Sequence, residues 1–427
     1  MIPLALGELE GLGRLTPAGW ADEVIGVHID SRRVEVGDLF VAVGPGADFR
    51  DHAFARGAAA VLIPDDAHTA LASIGRAVRS RSSARVVGIT GSVGKTSTKD
   101  ILAALCRPHT RTVAAEASFN AELGVPLTLA RLEPNTEICV VELAMRGFGQ
   151  IAALCDIARP DIGVITTIAP AHLELVGSLE GVARAKAELL EALPAGATGV
   201  VPISPELHVL VPDGLRVRRF PGDAEVVAWE PHDDGARLTA DVLGRRVTLD
   251  LSVRARHHAD NALAALLAYE ALGLPLDQAH VGAGNVELSR WRGEEVPLPD
   301  GGLLINDAWN ASPLSMRAAI DHLVEIADGR TTVAVLGDMA ELGPDAPRFH
   351  HEIGEHVRTA GVAGLLAVGP LAAGYVEGAG FGEAVPDVDA GREAITRLVQ
   401  PGECVLIKAS RAVGLEVLAE HLAKIRV

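Results

Sequence analysis

Val86-Val87-Gly88-Ile89-Thr90-Gly91-Ser92-Val93-Gly94-Lys95-Thr96-Ser97-Thr98-Lys99-Asp100 is the stretch around which the rest of the chain is organised. A β-branched run ends in a glycine-rich turn, and Lys-Thr-Ser-Thr opens a helical pattern that continues through Ile101, Leu102 and Leu105. This is the composition of a phosphate cradle. Glycines let backbone N–H groups converge on phosphate oxygens, the helix start adds partial positive charge, Lys95 reaches the outer phosphates, and Thr96 offers its hydroxyl to Mg²⁺. Gly91, Ser92, Gly94, Lys95, Thr96 and Ser97 are the candidate nucleotide contacts. The usual loop is longer: the position five before Gly94 is Ile89, which leaves Gly91-x-x-Gly94-Lys95-Thr96. An ordinary strand–turn–helix corner is the plain alternative, but Gly-Lys-Thr behind an apolar strand favours nucleotide binding.

A chain of 427 residues has room for two to four domains. Hydrophobic residues make up 48%, yet no run approaches the ~18 uninterrupted apolar residues of a membrane helix, so no membrane insertion is expected. The first residues, Met-Ile-Pro-Leu-Ala-Leu-Gly-Glu, carry no basic region, which argues against a secretory signal. Cys106, Cys139, Cys155 and Cys404 form no C-x-x-C pair and no metal-ligand spacing; unpaired thiols fit a reducing, cytoplasmic location. A formal net charge of −18 argues against nucleic acid as a partner and leaves room for anionic small molecules at a local basic pocket.

Residues 1–83 read as a first unit, with strands over 24–29, 39–43 and 60–63 and a helical stretch over 53–60. The polar, basic segment 73–85 reads as a linker. Across 84–286, apolar strands at 86–90, 138–143 and 162–168 alternate with helical patterns such as 151–158. A helix over 178–193 follows, then β-like pieces at 199–203, 225–229 and 246–253 and an alanine-rich helix over 258–272. Such alternation implies a doubly wound α/β sheet whose ligands sit at the carboxyl ends of parallel strands. The last unit, 287–427, repeats it with strands at 303–307, 332–336, 364–368 and 404–408, and its first helix starts with Ser312 as N-cap and Pro313 at the first helical position.

Three residues outside the loop invite a chemical reading. Lys186 lies in the middle of the apolar stripe Leu179, Val182, Ala183, Leu190 and Leu193. Either its stem covers apolar surface while the ammonium reaches water, or it is a lysine of lowered pKa at a site. Glu142 ends the run Ile138-Cys139-Val140-Val141 and so projects near the sheet edge that carries the loop, where a carboxylate is a natural Mg²⁺ ligand; a helix cap or solvated end is the alternative. His172 follows the strand at 162–168, again at a carboxyl end, although a lone histidine is more often structural. With Lys95 and Thr96, these residues can converge on one nucleotide–metal centre.

At this point the chain resembles the Mur ligases, ATP-dependent ligases of peptidoglycan precursor synthesis, over nearly its whole length. The Thr-Gly-Ser-x-Gly-Lys-Thr loop is similar to the family's ATP loop, Glu142 and His172 match its magnesium-binding residues, and Lys186 in Ala-Lys-Ala-Glu-Leu matches the lysine that the family carbamylates. That favours the functional reading of Lys186: CO₂ adds to a neutral amine, and the resulting carbamate is an anion able to bind a second Mg²⁺. Arg256-His257-His258-Ala259-Asp260-Asn261 resembles the adenine-side motif, carried by Asn261, while Arg290 and Asp307 look like ATP contacts from the last domain. The branch that joins D-alanyl-D-alanine to UDP-N-acetylmuramoyl-tripeptide is suggested by several stretches: Asp30-Ser31-Arg32, Phe119-Asn120, Asn306-Asp307-Ala308-Trp309-Asn310, Gly337-Asp338-Met339-Ala340-Glu341 with His350, and Lys408-Ala409-Ser410-Arg411. Asn306, Trp309, Ser312, His258, Ala409 and Arg50-Asp51-His52 depart from that branch's pattern.

The resemblance implies three α/β domains: a small N-terminal domain over 1–83 holding the UDP substrate, a central P-loop domain over 84–286 holding ATP, and a Rossmann-like domain over 287–427 that binds the dipeptide and closes over ATP. It implies an acyl phosphate, two Mg²⁺ ions held by Thr96, Glu142, His172 and carbamylated Lys186, and substrate contacts from Ser31, Arg32, Asn120 and Asn310. A monomer is expected. The rivals are another Mur-type amino-acid ligase and a Mur-like ligase for a different carboxylate and amine.

Overall fold

The computed structural model describes residues 1–116 and 119–425. At its centre lies a six-stranded, wholly parallel sheet in the order Arg216–Phe220, Thr198–Pro202, Ile162–Ile165, Arg85–Thr90, Ile138–Glu142, Thr112–Ala114. From Arg85–Thr90 the chain takes two strands to one side and then crosses to the other for three more. Ligand-binding crevices open at such reversals, outside the carboxyl strand ends. Register brings Ile89 beside Glu142 and Thr90 beside Ile165, so the strand ends are level with the phosphate loop.

The helix His258–Ala271 is buried on nearly every side, as expected of a segment apolar all round. Its alanines let it fit between the central sheet and an antiparallel meander, Ala224–His232, Gly235–Val242 and Arg245–Leu251, in one core. The β-like pieces expected at 225–229 and 246–253 are two strands of that meander. The strand expected over 162–168 stops at Ile165. There Thr166 turns the chain, donating from Oγ1 to the Val93 carbonyl at 2.5 Å, and Thr167 accepts the Ser92 N–H at 2.8 Å, so the segment wraps the loop instead.

A second sheet runs Glu294–Pro297 (antiparallel), Leu303–Asp307, Cys404–Lys408, Thr332–Gly337, Gly364–Val368, Glu383–Val385, with Asp307 opposite Lys408. Near the N-terminus a four-stranded sheet orders Gly13–Pro17, Ala60–Pro64, Asp38–Val41 and Gly26–His28. The expected linker is instead mostly helix, Ala67–Arg81. One face of it, including Leu71, Ile74 and Val78, joins a core shared with Val125, Ile151, Leu154 and Ile157. Arg79 fastens the end of this helix, donating to the carbonyls of Ala158, Arg159 and Ala84 at 2.9–3.1 Å. Serines and arginines at 73–85 suggest a linker only until these partners are visible. The helix expected over 53–60 is shorter and earlier, Arg50–Ala55, because Gly57 turns the chain at φ +100° before the strand begins. Among the described residues, no helix is long and apolar enough to cross a membrane.

Candidate active site

Two glycines shape the loop. Gly94 starts the helix Lys95–Cys106 from φ +86°, and a Cβ there would come within 2.2 Å of Asn261 Oδ1; at Gly91, φ +151°, it would meet Thr166 Oγ1 at 1.9 Å. Only glycine allows these approaches. Ser92 Oγ donates to the Ala169 carbonyl at 2.7 Å and accepts its N–H at 3.0 Å, and Lys95 Nζ donates to the Gly91 carbonyl at 2.8 Å. Glu142 is fully buried, with Thr96 Oγ1 donating to Oε2 at 2.8 Å and Asn120 Nδ2 to Oε1 at 2.7 Å. Asn261 is tied to both sides, 3.4 Å from Thr98 Oγ1 and 3.4 Å from His258 Nδ1.

These groups line one cavity of about 620 Å³ between the two large sheets. Ser92, Gly94, Lys95, Thr96, Ser97, Asn120, Glu142, His172 and Asn261 come from one side, and Asp307, Trp309, Asn310 and Lys408 from the other. Lys408 is buried and joins two of the latter, donating from Nζ to Asp307 Oδ2 at 2.5 Å and to the Asn310 carbonyl at 2.9 Å. Burial depresses the pKa of Lys95, which the Glu142 carboxylate opposes. Lys186 is 2% exposed, and burial first, then the Lys95 charge, push its amine well below the usual lysine range. It does not snorkel. Both lysines also act electrostatically on His172, which burial lowers and the Glu341 carboxylate supports.

Not every expected residue joins the cavity: Lys186 and Gly91 are not among the residues that line it. Arg290 is exposed over Trp291 and lines a neighbouring cleft; Arg292, two residues on, lines the cavity and lies within electrostatic reach of Glu142, Asp307 and Asp100. Ser31 and Arg32 also stand outside it. Ser31 is buried against His52, Oγ to Nδ1 3.0 Å, and Arg32 grips Asp30, holding that carboxyl down at about 2. Among the departures, Trp309 and Ser312 line the cavity, whereas Asn306 does not. The Ser312 hydroxyl accepts the Ser315 N–H at 3.4 Å, so it caps the helix Pro313–Glu325 as expected.

The sequence reading passed over Arg292, and it named Lys408 and Glu341 only within the stretches that carry the resemblance, with no role at the site. Lys408 had a signal, since it ends an apolar strand just as Glu142 does. Glu341 meets Nδ1 of His172. Its loop is held by His350, whose Nε2 accepts the Met339 N–H at 3.0 Å while Nδ1 donates to the Ala346 carbonyl at 2.7 Å. Beyond Glu341 opens an acidic cleft of about 810 Å³, with Glu174, Asp338 and Asp387 among its walls.

Magnesium can be tested against these side chains. Glu142 and Thr96 present hard oxygens side by side next to the phosphate loop, the sparse protein shell that Mg²⁺ takes when phosphates complete it. No group of three or more His, Cys, Asp or Glu side chains fit for a metal occurs among the described residues.

The Mur ligase middle domain matches residues 89–269, and the Mur ligase, glutamate ligase domain matches 291–411. UDP-N-acetylmuramoyl-tripeptide–D-alanyl-D-alanine ligase of Synechocystis sp. is 35% identical, over 92% of this chain and 90% of the relative. Among solved structures, MurF from Acinetobacter baumannii superposes with a TM-score of 0.85 at 26% identity, covering 99% of each chain. MurF ligase from Thermotoga maritima, solved in complex with ADP, gives 0.79 at 28%, covering 93% of this chain and 97% of that one.

Proposed function

Since this chain belongs to the Mur ligase family, we propose that it joins D-alanyl-D-alanine to UDP-N-acetylmuramoyl-tripeptide at the expense of ATP, in the cytoplasmic synthesis of peptidoglycan precursors. The observation that carries this reading is the single cavity into which the phosphate loop, Glu142, His172 and Asn261 project from one sheet and Asp307, Asn310 and Lys408 from the other. Lys95 and Arg292 bind the β- and γ-phosphates, and the tripeptide carboxylate attacks the γ-phosphorus in line, releasing ADP and leaving an acyl phosphate. The dipeptide amine then attacks the acyl carbon, phosphate departs, and the amide remains. Asn261 and His258 border the adenine, with Asp307 fixed by Lys408 on the ribose side. Ser31 and Arg32, outside the cavity, hold the distant uridine end, and Asn120 lies on the path between. Asn310 presents the dipeptide, whose ammonium the acidic cleft beyond Glu341 suits.

Thr96 and Glu142 would hold one Mg²⁺, and His172 with carbamylated Lys186 a second. Bound there, the metal neutralises charge on the transferring phosphoryl group. Closing of the two large sheets on each other excludes water from the acyl phosphate. The test is direct: purified protein is incubated with ATP, Mg²⁺, D-alanyl-D-alanine and the tripeptide nucleotide bearing either diaminopimelate or lysine. A pentapeptide product by mass, with ADP formed only when carboxylate and amine are both present, is the expected result. ADP formation that ignores either substrate overturns the assignment.

A further inference from the structure

One turn beyond Lys95, the phosphate-loop helix carries a second pair of charges. Lys99 is 2% exposed; its Nζ lies 2.7 Å from Asp100 Oδ1 and donates to the Ala115 carbonyl at 2.7 Å. The other oxygen of Asp100 accepts both the N–H of Ser289, at 2.9 Å, and its hydroxyl, at 3.0 Å. Buried ion pairs contribute little net stability compared with apolar packing, so this one calls for another reason. Ser289 supplies it. The residue lies in the segment that leads from the short helix His280–Ala283 to the strand Glu294–Pro297, the route by which the chain leaves the central part for the second large sheet. Immediately after it, Trp291 and Gly293 take φ of +62° and +74°, so the chain bends sharply, and Arg292 between them enters the nucleotide cavity.

We propose that Asp100, steadied by Lys99, is a positioning residue of the ligase: by pinning Ser289 to the phosphate-loop helix it aims Arg292 at the nucleotide phosphates. The proposal rests on the phosphate role given to Arg292 above. An unanchored connection would leave the guanidinium many orientations, whose entropy nucleotide binding would have to overcome. Two hydrogen bonds to a carboxylate only 11% exposed remove that freedom in advance, on the same helix that holds the phosphates. Asp100 also faces Arg292 electrostatically, together with Glu142 and Asp307, so its charge favours the inward position of the guanidinium. Trp309 backs that position, its ring 5.6 Å from the Arg292 guanidinium.

The test is a double-mutant cycle on the full chain. Asp100→Asn and Ser289→Ala are each made alone and combined with Arg292→Ala, and kcat and KM for Mg-ATP are measured in the ligation reaction. Asp100→Asn should lower kcat/KM for ATP about tenfold or more and leave KM for the sugar nucleotide within about twofold. With Arg292 already replaced, the same change should cost less than about twofold. Equal losses in both backgrounds, or unchanged kinetics for Asp100→Asn, overturn the positioning role. Should Asp100→Asn fail to fold, Ser289→Ala decides: it keeps the backbone bond, and its smaller loss must also vanish beside Arg292→Ala. Absence of ligation by the unaltered protein counts against the proposed function alone. The cycle is then read from Mg-ADP dissociation constants by calorimetry, where additivity again overturns the anchor.

Discussion

Glu341, on the loop after the strand Thr332–Gly337, meets the Nδ1 of His172, on the loop after Ile162–Ile165. The contact bridges the two large sheets and commits one ring nitrogen of His172, which leaves Nε2 for a ligand. Arg146 lies 3.4 Å from the other oxygen of Glu341. Partners of this kind orient a metal-binding imidazole, and their loss typically costs about ten- to a hundredfold in metal affinity. Glu341→Ala should therefore raise the Mg²⁺ concentration for half-maximal turnover by roughly tenfold. Titrating Mg²⁺ at saturating ATP measures this, and an unchanged midpoint removes Glu341 from the site.

Lys186 is buried beside another cation, and both conditions lower its pKa and so favour the neutral amine, the form to which CO₂ adds. Lys186→Ala should lower kcat by about a hundredfold or more, a loss beyond the modest fall in melting temperature that removing its buried stem brings. If Lys186 carries the proposed carbamate, a short carboxylate such as formate should restore part of the rate by standing in for it. A large fall in melting temperature with little loss of rate would return Lys186 to a structural role.

Arg290 and Arg292 differ by two positions and by surroundings. Arg292→Ala should lower kcat/KM for ATP by about a hundredfold, as expected when a partly buried charged donor to phosphate is lost. Arg290→Ala, at an exposed position outside the cavity, should stay within about threefold. Parallel steady-state kinetics on the two variants distinguish the assignments.

His258 titrates at about 3 in the folded protein, because burial and the neighbouring His322 disfavour its charged form. The unfolded chain protonates this ring near pH 6.5, so it binds the proton first and folding stability falls as pH drops from about 6.5 towards 3. Between pH 7.5 and 5 the loss from this group is on the order of 2 kcal/mol. His257 and His350 are shifted in the same direction, so His258→Asn should flatten part of the acid decline and not all of it. Urea unfolding midpoints at pH 5 and 7.5 check the sign.

Much of the architecture is legible along the chain. Glycines at 91 and 94, a β-branched run before them and an apolar helix after them suffice to place a phosphate loop, because strand, turn and helix signals are local. Glu142 and Asp307 can be placed at carboxyl strand ends for the same reason. Segment 73–85 misleads because its polarity describes only the outer face of a helix whose inner face packs on Val125 and Ile157. Arg290 misleads because the connecting segment follows no regular period, so counting residues cannot tell which side chain turns inward.

What the sequence by itself determined was the alternation of strand and helix, the phosphate loop and the acidic and basic residues offered at strand ends, since each depends on neighbours a few positions away. Only the tertiary structure decided that Arg292 rather than Arg290 faces the cavity beside the phosphate loop, that Glu341 reaches His172, and that Lys186 is sealed from water. Those facts depend on contacts between residues more than a hundred positions apart, as with His172 and Glu341, and on the exclusion of water that appears only when the sheets pack together.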